Sequence, residues 1–237
     1  NHFQNRFKGM DAGTNDRMMQ TMRAAYYACI SFIDYNIGRI LSTLGDEIDN
    51  TLILFSSDHG EMLGDYGSVG KRCMLDPSVK VPLIARFPKK VAQNTQVSTP
   101  TSLLDLRPTI LQAAGLEYDT KYGEPLIDRK QAIDPDRIIY SQFSKKHLGL
   151  YMSKNERFKY IYSEQDSREW FFDSVRDPLE TKNLASNLFF KREKEALKGS
   201  ILKRFEADGY SDAFCDGDWK PYPRKDFLSD KKSSTRK

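Results

Sequence analysis

The sequence predicts an α/β protein in which a site-bearing first part is joined to a small antiparallel sheet closed by a helix. Three observations carry this. Residues 51–55, TLILF, are continuously apolar and end in a cluster of charged and glycine residues. Unbroken apolarity fits a strand covered on both faces, as in the parallel sheets of α/β proteins. Apolar residues recur at three- and four-residue spacing over 16–44, the mark of a long amphipathic helix. Four short runs rich in aromatic and β-branched residues (137–143, 148–153, 158–163 and 169–173), divided by polar turns, read as a meander, and a helical run over 189–208 follows them.

In chain order, residues 1–15 are polar and contain glycine, which suits a loop, and His2 lies within them. The helix over 16–44 carries Met22, Tyr26, Cys29, Ile30, Ile33, Ile37, Ile40, Leu41 and Leu44 as its apolar stripe, expected to be core, and Gly45 stands where a C-cap belongs. Asp34 within it is read as structural. A second apolar strand is expected over 81–87, where Pro82 suits a strand start. Residues 105–114 form a short helix with Pro108 in its first turn and Gly115 just past its end. The composition shifts near Tyr118, and 118–136, rich in Asp, Lys and Pro, reads as a connection. This divides the chain into 1–128, 129–215 and a basic tail, 216–237, expected to run extended along the surface with Trp219 and Tyr222 as anchors.

The chain of 237 residues, 39% hydrophobic and 30% charged, has enough apolar material for a core and at most two domains. A net charge of +4 favours an anionic substrate, but no aromatic–basic repeat or finger spacing points to nucleic acid. No stretch approaches a membrane span. Cys29, Cys73 and Cys215 are too scattered for a disulfide framework or a CxxC metal site.

The chemistry concentrates after the first strand. Ligands bind beyond the carboxyl ends of strands in open α/β sheets, and Asp58-His59-Gly60 lies there. On a continuing strand Asp58 and His59 would point apart, whereas a tight turn permitted by Gly60 lets them converge. A carboxylate beside an imidazole suits a divalent cation, with calcium, magnesium, manganese and zinc all open, or else serves as a helix cap or turn. Gly60, Gly64, Gly67 and Gly70 punctuate the loop, and Lys71 can meet an anion or lie solvated.

The segment SDHGEMLGDYGSVGK (57–71), followed by VPLIARFP (81–88), LLDLRPTILQAAGL (103–116) and FFDSVRDPLETKNLA (171–185), resembles the C-terminal motifs of the type I sulfatase family, within the alkaline phosphatase-like superfamily. The resemblance covers most of the chain up to about Phe205. It implies the C-terminal part of an alkaline phosphatase-like sandwich with a mostly parallel sheet, bearing a small antiparallel subdomain with a C-terminal helix. It makes Asp58 and His59 two ligands of a catalytic cation, usually calcium with magnesium or manganese as alternatives, and Lys71 the catalytic cation holding the sulfate. Arg72 and His147 become candidates for substrate contact, as does Tyr66, which stands where relatives often carry histidine.

Sulfatases make a formylglycine nucleophile from C/S-x-P-x-R, and that pattern is missing here; the nearest, Ser98-Thr99-Pro100-Thr101-Ser102, lacks the arginine. The resemblance therefore implies a nucleophile and further acidic ligands in an N-terminal part of the same protein. It also implies a sulfate ester substrate, with sulfated saccharides the most numerous class, and leans to a periplasmic or secreted setting. Phosphonate monoester and phosphodiester hydrolases of the superfamily share the DHG loop and lysine. A non-catalytic sulfatase-like fragment or binding module is the remaining alternative.

Overall fold

The computed structural model describes residues 15–88, 90–127, 134 and 136–223. His2 and the end of the tail lie outside them. Helix α1 (Asp16–Ser42) begins where Asn15 accepts the Met18 amide at 3.0 Å, satisfying one of the donors a helix start leaves open. Strand β1 (Ile53–Ser56) leads into the glycine-rich loop and a single turn, α2 (Asp76–Val79). Strand β2 (Leu83–Arg86) then returns alongside β1, in the register Ile53↔Arg86 to Ser56↔Leu83. Helix α3 (Leu106–Ala113) follows a 3-10 turn whose Ser102 and Asp105 form a reciprocal capping box. The fully buried Asp105 carboxylate also accepts from the Glu124 amide at 2.9 Å and pairs with Arg137 at 2.6 Å, tying α3 to the entry of the next sheet.

That sheet holds β3 (Ile139–Phe143), β4 (Leu150–Lys154), β5 (Phe158–Ser163) and β6 (Arg168–Asp173) in sequence order, all antiparallel, as the meander reading expected. Both of its faces are covered. On one lies α4 (Lys191–Ala207), whose Leu197, Ile201, Leu202 and Phe205 pack on Tyr151, Tyr160 and Phe171. On the other, Leu150, Met152, Ile161 and Phe172 receive Met62, Cys73, Met74 and Leu75 from the loop after β1.

The tail up to residue 223 turns back at Asp216-Gly217, both at positive φ, to pair β7 (Phe214–Cys215) with β8 (Asp218–Trp219) rather than running extended. This hairpin seats Trp219 against Tyr162 at a ring separation of 4.3 Å, and Tyr222 donates to the Asp212 carbonyl at 2.8 Å. Both residues are the anchors expected of them.

Two burial expectations fail. The α1 stripe is not core: none of its residues is buried, and Tyr26, Ile30 and Ile33 stand 40–53% exposed. Nor is β1 covered on both faces in a parallel sheet. Every strand pair among the described residues is antiparallel, Phe55 and Ile84 are exposed, and the mixed α/β class holds without the parallel element. The reason is the same in both places. Apolar periodicity states which face seeks a partner, and among the described residues no sheet or helix layer covers either element. No described helix is long and apolar enough to cross a membrane.

Candidate active site

The loop after β1 is folded by its own backbone. The Met62 amide donates to the Gly70 carbonyl and the Gly64 amide to Ser68, each at 2.8 Å, closing a compact lobe. Gly64 and Gly70 sit at φ +95° and +91°, a region that penalises any side chain. The Glu61 carboxylate accepts the Gly70 amide and, at 3.2 Å, the Leu63 amide, fastening the lobe at its neck. From outside, α1 braces the lobe. The Met19 side-chain methyl lies against Gly64, and the Arg23 guanidinium donates to the Leu63 carbonyl at 3.2 Å.

Asp58, His59 and Lys71 converge at the foot of this lobe. The Asp58 Oδ1 accepts the His59 amide at 3.0 Å, and its Oδ2 lies 3.2 Å from His59 Nε2. His59 Nδ1 lies 2.8 Å from the Gly60 carbonyl, an arrangement in which Nδ1 carries a hydrogen. The Lys71 ammonium contacts that Nε2. The Asp58 side chain is 81% exposed and His59 36%, so the cluster opens outward. The turn foreseen at Gly60 is real, and it is tight. A Cβ there would strike the Pro77 carbonyl oxygen, while the Gly60 amide donates to Ser78 at 2.8 Å.

The donor set suits a divalent cation in part. An imidazole with its second nitrogen bonded to a carbonyl, beside an open carboxylate, is how metal-binding histidines are oriented. Two ligands do not complete a shell, and no group of three or more His, Cys, Asp or Glu side chains is gathered to hold a metal among the described residues.

The other candidates stand apart from this cluster. Tyr66 crowns the lobe at φ 55°, 44% exposed, with its phenol pushed above the usual range by partial burial and by the Glu180 carboxylate. Arg72 is exposed and makes no hydrogen bond or ion pair among the described residues. His147 is half-buried in the 3-10 turn between β3 and β4, with no hydrogen bond to Asp58, His59 or Lys71.

Sequence reasoning missed the groups beneath the site. Lys159, wholly buried in β5, extends its ammonium to the Met74 carbonyl at 3.1 Å and to the carboxylates of Asp76 and Glu180. Glu180, at φ 53° in the turn after β6, also accepts the Asp76 amide at 2.7 Å. Burial would push the Asp76 carboxyl up, but the Lys159 ammonium outweighs it and holds the group below its ordinary value. Glu180, buried deeper, is pushed up by loss of solvent despite the same ammonium. The signal was present: a strand as apolar as 158–163 buries a lysine only with a carboxylate to meet it.

Comparison with known proteins identifies the family of the chain. Residues 1–116 match the sulfatase family, and residues 64–207 match the family described as N-sulphoglucosamine sulphohydrolase, C-terminal. The chain is 33% identical over 184 residues to a sulfatase of Formosa agariphila, covering 76% of this chain and 35% of that protein. The protein BT4656, solved with its substrate D-glucosamine-2-N,6-O-disulfate, superposes with a TM-score of 0.68 at 26% identity, over 77% of this chain and 40% of its own. Phosphonate monoester hydrolase of Agrobacterium radiobacter superposes with a TM-score of 0.72 at 26% identity, over 83% of this chain and 44% of that one. The first curated relatives are spanned over 33% to 43% of their length. With two family matches overlapping across residues 64–116 and the DHG loop inside the first, the chain belongs to the sulfatase family of the alkaline phosphatase-like superfamily.

Proposed function

We propose that the protein containing this chain hydrolyses a sulfate ester of a saccharide, and that this chain supplies one wall of the active site. The observation that carries the reading is the convergence of Asp58, His59 and Lys71 at the foot of one lobe. Asp58 and His59 would hold a divalent cation, calcium by family resemblance, with the remaining ligands and a formylglycine nucleophile on an N-terminal part of the same protein. When bound, such a cation supplies charge to polarise sulfate oxygens. Lys71 places an ammonium where the departing oxygen gathers negative charge, a stabilisation worth most at the moment that charge develops. The open face of Asp58 and the lobe's exposed rim leave room for a substrate to enter from solvent. The uncovered stripe of α1 and the outer faces of β1 and β2 fit the packing surface for that N-terminal part. A saccharide substrate is supported by the substrate in the solved relative's name, a doubly sulfated glucosamine.

The likeness to a phosphonate monoester hydrolase supports a second reading, since sulfate and phosphonate monoesters are both tetrahedral anions that present terminal oxygens to the lysine and cation. The experiment is turnover by the complete protein of 4-nitrophenyl sulfate, N- and 6-O-sulfated glucosamine, and a phenyl phosphonate monoester, with and without chelator and restored calcium, magnesium or manganese. Sulfate release that is lost to chelation and recovered with calcium is the expected result. Faster turnover of the phosphonate than of every sulfate ester would transfer the assignment to the second reading.

A further inference from the structure

The small antiparallel sheet does more than cap the molecule. Its β5 and the turn after β6 send Lys159 and Glu180 up to Asp76, the first residue of α2. Two residues on, Ser78 is 1% exposed and touches both arms of the site: its carbonyl accepts the Gly60 amide at 2.8 Å, and its hydroxyl donates to the Lys71 carbonyl. The backbone next to His59 and the backbone bearing the lysine are therefore both hung on one turn of helix. That turn is too short to hold its own place, having four residues and no side-chain cap. What fixes it is the ammonium between two carboxylates, together with the 2.7 Å bond from the Asp76 amide to Glu180. Buried charges of this kind seldom add net stability over an apolar replacement, but their geometry is narrow.

We propose that Lys159, Glu180 and Asp76 are positioning residues for the site, acting through Ser78 to set the spacing between His59 and Lys71. This rests on the reading of Asp58, His59 and Lys71 as the reacting wall. None of the four need touch substrate. A rigid supporting shell matters because a misplacement near 1 Å costs about 10²-fold in rate.

The test uses Ser78→Ala, Lys159→Met and Glu180→Gln in the complete protein, with 4-nitrophenyl sulfate kinetics normalised to folded protein. A second readout is the imidazole spectrum of histidine-labelled protein, with the His59 signal assigned by its loss in His59→Gln. Ser78→Ala removes only a hydroxyl and leaves the fold able to form. It should lower kcat on the order of tenfold with little change in KM, and shift the His59 ring signals while those of His147 stay in place. Lys159→Met should do the same more strongly, with a fall in Tm. If Tm falls while kcat per folded molecule and the His59 signals stay at wild type, the triad is only a fold staple and the proposal is overturned. If the parent protein turns over no sulfate ester, the functional reading fails, and the His59 signals still decide the positioning claim in either direction.

Discussion

The part up to residue 116 and the part from residue 136 use their apolar residues in opposite ways. In the later part, Tyr151, Tyr160 and Phe171 are fully buried, α4 and the β7–β8 hairpin close one face of the sheet, and the rings of Tyr151 and Tyr162 stack with Trp219. In the earlier part a 27-residue helix buries nothing, and Tyr27, Phe32, Tyr35 and Ile84 are at least 60% exposed. Yet the earlier part carries Asp58, His59 and Lys71, the proposed site. Stability and chemistry are thus divided between the two regions, joined where the loop after β1 packs on the sheet's second face.

The sharpest way to break this contrast is to remove the centre of the later region. Trp219→Ala should cost about 3–5 kcal/mol in chemical denaturation, as truncations of large buried aromatics do. A loss under about 1 kcal/mol would mean the hairpin is not part of the core. The reverse experiment is Lys71→Ala in the complete protein. It should lower kcat/KM by about 10² while leaving Tm unchanged, the size expected for one well-placed electrostatic donor. Exposed Lys203→Ala should be silent, and equal kinetics in the two variants would remove Lys71 from the site.

A subtler probe uses pH. Glu164, 2% exposed at the end of β5, has no hydrogen-bond partner among the described residues for either carboxylate oxygen, and burial pushes its carboxyl up to about 8 against the pull of Lys220. In the unfolded chain it ionises near its ordinary value of 4.5. The unfolded state therefore holds fewer protons between those two values, and the folded state loses stability as pH rises through that window. Glu164→Gln should flatten the fall seen in urea midpoints from pH 5 to 8. A parallel slope in both proteins would show that the carboxyl is solvated. Smallest of all, Phe32→Ala on α1 should change the stability of this chain by no more than about 0.5 kcal/mol. A cost like that of Trp219→Ala would show that α1 is buried after all.

Element by element, most of the fold was legible. The meander, α4, α3 and β2 follow from alternation, helical spacing and the Pro108 and Gly115 punctuation, because those signals are local. The direction of strand pairing and the burial of α1 were not, since both depend on what lies alongside. Of the site, Asp58, His59 and Lys71 could be named from the DHG loop, but their convergence depends on Ser78 and on Gly60 packing against Pro77, contacts that residue spacing does not encode. Glu61 gave no warning, as one acid among many in a turn. The β7–β8 hairpin had a signal in Asp216-Gly217, muted by strands of only two residues.

Strand β5 presents Phe158, Tyr160 and Tyr162 to the aromatic core and Lys159 and Ile161 to the opposite face. Sliding it by one residue against β4 or β6 would exchange those sets. The slipped strand would press an ammonium against the indole of Trp219 and leave Asp76 and Glu180 facing a phenol. Aromatic side chains tolerate many neighbours, so the core alone would discriminate weakly between the two alignments. The lysine supplies the missing penalty. A slipped strand would leave an ammonium and two carboxylates buried without their partners, a cost the aligned register avoids even though the aligned ion cluster adds little to the final stability.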